Sequence, residues 1–207
     1  MQTRTFGVAL IGGGLLTLIA NAVFLPMLPA EAPFAALAGT QVFLWRLSLA
    51  AAGLIFVLFG MIGLYIRQAQ KPGWFGASTF PLAFVGAGMM MAHEWAQVFF
   101  IHHTARTAPG ALDAIENVAG PNLFDAEAVI AVSAFTLGWI LWCASLLVGR
   151  AFSWPGPGLV LLGLLGAPAL AAAASALGFD ASAGMAAGAV LLSLGWIALG
   201  RALLKPA

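Results

Sequence analysis

The sequence predicts an all-α integral membrane bundle of six transmembrane helices, with the N- and C-termini cytoplasmic. Three observations predict this class. The chain is 62% hydrophobic and only 7% charged, against about 25% charged in an ordinary soluble domain. Its apolar residues fall into six runs of bilayer length, about 20 residues each. Its basic residues gather on alternate connections, as the positive-inside bias requires. Residues 1–207 are expected to form a single transmembrane helical domain with an outer loop at about 102–125. The expected location is the cell (inner) membrane, crossed several times.

The first segment runs from about Phe6 to Met27 and ends at Pro26 and Pro29. Arg4 before an apolar run, with Ala30-Glu31-Ala32 after it, imitates a secretory signal. The run from Phe6 to about Leu25 exceeds a typical signal core, so it reads as the first span. The second segment is about Val42–Ile66 and the third about Phe80–Ile101. The fourth is about Ala126–Val148, the fifth about Gly158–Leu177 and the sixth about Ala183–Leu203. Pro168 falls inside the fifth, where it removes a helix hydrogen bond and predicts a kink. Gly178-Phe179-Asp180 is short enough for a tight hairpin between the last two.

Orientation follows from charge. Arg4, Arg67, Lys71, Arg150, Arg201 and Lys205, six of the eight basic residues, share one side when the spans are counted. Glu31, Asp113, Glu116 and Asp180 share the other, with Arg106. That places both termini in the cytoplasm. In the long outer connection, Pro109-Gly110 and Gly120-Pro121 are breakers, and Ala111–Val118 between them suits a short interfacial helix.

Small residues are spaced for close helix contact. Gly12-Gly13-Gly14, Gly60 with Gly63, Ala134 with Gly138, and the GxxxG at Gly184 and Gly188 are the clearest cases. They predict packing inside the bundle, or a face for a second copy. Leu137-Gly138-Trp139-Ile140 recurs as Leu194-Gly195-Trp196-Ile197, the one trace of repeated hairpins. Trp45 and Trp74 lie near segment ends, where indole rings anchor at the headgroups. Cys143, the single cysteine, sits among apolar residues and reads as core.

The informative polar residues lie in the third segment. Met90, His93, Glu94 and Gln97 follow the spacing that puts side chains on one side of a helix. Ionisable groups inside a span face the bundle interior or a cavity. Arg46, early in the second segment, and Asn21, late in the first, come out at a similar level when about 1.5 Å is allowed per residue. The candidate ligand-binding set is therefore His93, Glu94, Gln97, Arg46 and Asn21, with Arg46 and Glu94 as the expected ion pair.

Several chemistries fail on residue count. His93-Glu94-Trp95-Ala96-Gln97 is one residue away from HExxH, and Gln97 breaks the zinc ligand pair. With histidines only at 93, 102 and 103, a haem held between two helix histidines is hard to build and would need a second chain or a non-histidine ligand. Too few carboxylates lie in the spans for a di-iron bundle. No nucleophile elbow and no P-loop appears. No metal ligand set is assigned, and no motif names a cofactor. A net charge of +1 with no basic stripe gives no nucleic-acid partner.

The leading expectation is a membrane protein that binds or transports a small solute through a polar pocket in the outer half of the bundle. One alternative is an accessory or assembly subunit of a larger membrane complex. Another is a membrane enzyme that uses the His93–Glu94 pair, with or without a metal; with no catalytic motif complete, it ranks below the others. The expected partners are the lipid bilayer, a small-molecule ligand, and a second copy or a larger membrane complex.

Overall fold

A computed structural model of the chain describes residues 2–29, 32–70, 73–116, 123–178 and 180–205. Glu31, Lys71, Phe179, the Gly120-Pro121 breakers and the expected helix end at Val118 lie outside the described residues. All regular structure among the described residues is helical. Six stretches are long and apolar enough to cross a membrane: Thr3–Met27, Gln41–Gln68, Trp74–Thr107, Asp125–Val148, Pro155–Ala176 and Ala181–Leu204.

The elements in order are α1 (Gln2–Ile19), α2 (Phe34–Ala38), α3 (Gln41–Gln68), α4 (Trp74–Ala96), α5 (His102–Thr107), α6 (Pro109–Glu116), α7 (Leu123–Val148), α8 (Pro155–Ala176) and α9 (Ala181–Leu204). Helix α1 passes into a π-helical turn at Ala20–Phe24. Pro26 accounts for it. Proline has no N–H to give the carbonyl four residues back, and the N–H of Leu25 just before it reaches five back, to Ala20. A second π-helical turn, Gln97–Ile101, joins α4 to α5. No proline lies there, so the sequence offers no local cause.

The third span is longer than the expected Phe80–Ile101 at both ends. It begins at Trp74, with Pro81 inside the helix and the hydroxyls of Ser78 and Thr79 both bonded back to the Phe75 carbonyl. It continues to Thr107, over residues expected in the outer loop. Its 34 residues would extend about 51 Å at 1.5 Å each, well beyond a hydrocarbon core of about 30 Å. The extra turns meet α2, where His102 Nδ1 donates to the Ala38 carbonyl at 2.8 Å. A small apolar core beneath, from Ala35, Phe43, Val98, Ala105 and Leu112, holds α2, α5 and α6 as a cap. Helix α8 runs through Pro168 without interruption.

The spans pack as three hairpins, α1 with α3, α4 with α7 and α8 with α9. Contacts of α9 with α1, α3 with α4, and α7 with α8 close them into a ring, and the α7–α8 seam is the most thinly packed. Gly7 on α1 faces the Gly200 carbonyl, and Gly14 faces Ser193 and Ile197, so α1 and α9 are antiparallel and both termini lie at one end. The opposite end, which carries the cap, is called distal below.

Glycines set the ring's close approaches. A Cβ on Gly138 would lie 2.6 Å from Ala83 Cα on α4, and one on Gly195 would lie 2.7 Å from the Val160 nitrogen on α8. Gly184 and Gly188 face α8, so the GxxxG pair is used within the chain. Each Leu-Gly-Trp-Ile segment thus turns its glycine to the hairpin partner and its tryptophan inward. Trp139 and Trp196 meet at the centre with ring centroids 5.5 Å apart, and Trp142 lies 5.3 Å from Trp139. Cys143 is buried beside them. Trp45 and Trp74 are exposed, consistent with anchoring in headgroups.

Near the terminal end, buried polar groups tie α3 to its neighbours. Gln68 donates to the Ser145 hydroxyl at 2.9 Å and accepts from Trp142 Nε1 at 2.8 Å. Arg67 Nη1 donates to the Ala202 carbonyl at 2.6 Å and covers the Phe152 ring. At the distal end, Gly178 takes a left-handed conformation (φ 80°) that ends α8, and Asp180 caps α9 through the Ser182 N–H.

Candidate functional site

The distal half contains a cavity of about 390 Å³, lined by residues from all six spans. This lies within the range of small-molecule sites, about 300–1,000 Å³. One wall is polar and consists of Thr17, Asn21, Arg46, Glu94 and Ser193. Apart from Thr136 on α7, the rest is apolar, with Leu54, Met90, Phe135, Leu164 and Trp196 among its members.

Each polar residue is placed by its own element. Thr17 stands in the last full turn of α1, bonds back to the Gly13 and Gly14 carbonyls, and lies 3.1 Å from the Ser193 hydroxyl on α9. Ser193 donates to Ala189 at 2.8 Å. Asn21 sits in the π turn, where its amide donates to the Thr17 carbonyl at 2.9 Å. Its Oδ1 accepts from Arg46 Nη2 at 3.4 Å. Arg46 is one turn past the α3 N-terminus, which Thr40 caps by accepting from the Phe43 N–H at 3.2 Å.

Glu94 is only 6% exposed. Its Oε2 has no hydrogen-bond partner among the described residues, and neither do Arg46 Nε and Trp196 Nε1. Arg46 and Glu94 share the cavity wall but form no contact ion pair. The guanidinium is turned to Asn21, and the contact pair expected from the sequence does not form.

His93 and Gln97 belong to a second group. His93 Nδ1 donates to Glu127 Oε2 on α7 at 2.7 Å. Gln97 Nε2 donates to His93 Nε2 at 2.9 Å. This pattern fixes the imidazole in its Nδ1–H form, since a carboxylate only accepts. Neither His93 nor Gln97 lines the cavity. The five residues predicted to meet therefore divide: Asn21, Arg46 and Glu94 face the cavity, while His93 and Gln97 tie α4 to α7 beside it. Adjacent residues on a helix differ by about 100° in direction, which separates His93 from Glu94.

No family model, curated protein or solved structure matches the chain.

Three contributors escaped the sequence reading. Glu127 lies near the start of α7, and only the packing of α7 on α4 brings it to His93. Thr17 and Ser193 are single hydroxyls in apolar runs, distinguished in three dimensions by facing each other. Among the described residues, no three His, Cys, Asp or Glu side chains converge as a metal ion would need. What the arrangement offers is an acceptor on Glu94 and donors on Arg46 and Trp196, set in a largely apolar chamber.

Proposed function

We propose that the chain is a multi-spanning protein of the cell (inner) membrane that binds or transports a small solute held in the distal cavity. The observation that carries this reading is the Glu94 carboxyl, buried with an unpartnered oxygen against a chamber that every span helps to line. Burying a polar atom without a partner costs about 1–3 kcal/mol. A solute that bonds to it offsets that cost. Intramembrane ionisable residues mark ligand and ion paths by the same reasoning.

The distal face is extracytoplasmic in this reading. The terminal end carries Arg4, Arg67, Arg150, Arg201 and Lys205, and the distal cap carries Asp113 and Glu116, which is the positive-inside pattern.

The test is the melting midpoint of the purified protein against a panel of water-soluble and bilayer-partitioning small molecules, in wild type and in Glu94→Gln. At least one compound is expected to raise the wild-type midpoint, with the rise reduced in the variant. A silent panel, together with no bound small molecule by native mass spectrometry, overturns the reading. Stoichiometric co-purification of another membrane protein in that case would favour an assembly subunit.

A further inference from the structure

The shape and lining of the cavity indicate more than the presence of a site. We infer that its ligand is a bilayer-borne amphiphile, an apolar chain or ring bearing an uncharged hydroxyl head, which enters sideways between α7 and α8. This rests on the cavity being a binding site, as proposed above.

The head follows from the unpartnered atoms. Arg46 Nε and Trp196 Nε1 donate, and Glu94 Oε2 accepts. A hydroxyl both accepts and donates, so it satisfies a donor and the acceptor together. A charged head would also have to leave water for a largely apolar chamber, which costs far more than burying a hydroxyl that is hydrogen-bonded.

The body follows from the remaining lining. Away from the polar wall the surface is aliphatic and aromatic apart from Thr136, and a hydrated solute would lose most of its water there without compensation.

The route follows from exposure. Only three of the lining residues are exposed: Val132 (47%), Pro168 and Met185 (51%). They come from α7, α8 and α9, all are apolar, and all lie within membrane-crossing stretches. Val132 and Pro168 stand on the two helices of the thinnest seam, and Met185 stands on α9, which packs against α8. An apolar mouth within a span opens on hydrocarbon, where an amphiphile is concentrated and a sugar or amino acid is not.

The probe is 2-bromo-1-undecanol, whose bromine sits beside the hydroxyl and quenches tryptophan on contact. Wild-type protein in nanodiscs is expected to show a saturable quenching component, since Trp196 lines the chamber. Trp196→Phe should remove that component and leave the unsaturable quenching of exposed Trp45, Trp74 and Trp154. Glu94→Met, similar in size and without the acceptor, should weaken the apparent affinity at least about tenfold. 1-Bromoundecane, without the hydroxyl, should give no saturable component. Should Trp196→Phe fail to fold, Glu94→Met against wild type carries the test.

Equal saturable quenching by 1-bromoundecane would overturn the hydroxyl head. Unsaturable quenching by the alcohol, with a water-soluble compound still raising the melting midpoint in a Glu94-dependent way, would overturn the amphiphile and leave the cavity reading standing. Silence in both assays removes both.

Discussion

His93 and Glu127 share a 2.7 Å hydrogen bond that joins α4 to α7 beside the cavity, not within it. The bond positions α4, and Glu94 is the next residue on that helix. Glu127 is 44% exposed at its side chain, so solvent screens the pair. A double-mutant cycle with His93→Ala and Glu127→Ala is expected to give a coupling of only about 0.5–1 kcal/mol in thermal or denaturant unfolding. His93→Ala alone should cost more than Glu127→Ala, because it also strands the Gln97 amide. Fully additive single effects would mean that the bond does not hold the two helices.

Gly138 and Gly12 give a matched pair for the packing. A Cβ at Gly138 meets α4 backbone at 2.6–2.9 Å, while one at Gly12 meets nothing within 4 Å. Backbone cannot swing aside as a side chain can. Gly138→Ala should therefore cost about 1–3 kcal/mol through displaced helices. Gly12→Ala should be neutral or stabilise by up to about 1 kcal/mol, since alanine restricts the unfolded chain. Melting of the two variants in one detergent checks this. Similar losses at both positions would contradict the close approach of α7 to α4.

Asp180 supplies a pH dependence with a definite sign. Its carboxylate accepts from the Ser182 N–H at 2.6 Å, and this bond holds its pKa below the ordinary aspartate range. A depressed folded value means that the cap contributes above the unfolded pKa and is lost as pH falls through the folded one. The first turn of α9 should loosen in acid, below the usual carboxylate range. Amide exchange at Ser182 and Ala183, corrected for the intrinsic rate, reports it. Asp180→Ala should raise exchange there at neutral pH and remove the acid step. An acid step that persists in that variant would assign the titration to another group.

Much of the fold was legible because lipid enforces it. Backbone polar groups in a bilayer must be bonded within helices, so six apolar runs translate into six spans. The misplaced ends of the third span had tertiary causes. Pro81 lies inside the helix, which already begins at Trp74. The turn after Gln97 keeps winding into a segment tied to α2 by His102. The site was legible in composition and not in partnership. Asn21, Arg46 and Glu94 were placed at one level by counting residues, and they do line one chamber. His93 sat on the same predicted stripe, yet its ring is held by Glu127, a residue whose approach depends on how α7 lies against α4.

Glu94 separates stability from function. A carboxyl that is 6% exposed and has an unpartnered oxygen destabilises the empty protein. Removing it without leaving a hole should therefore help the fold. Glu94→Met fills similar space with no polar atom, and the ligand-free variant is expected to be more stable than wild type by about 1–3 kcal/mol. The same change deletes the acceptor that a bound head would use, so every ligand-induced rise in melting midpoint should shrink with it. Functional sites retain such costs where binding recovers them. His93→Ala provides the contrast: it lies outside the cavity lining and should lower stability while leaving a larger share of the ligand-induced rise. If Glu94→Met melts below wild type without ligand, the carboxyl is a structural member of the wall. The wall would then owe its polarity to packing and not to a ligand.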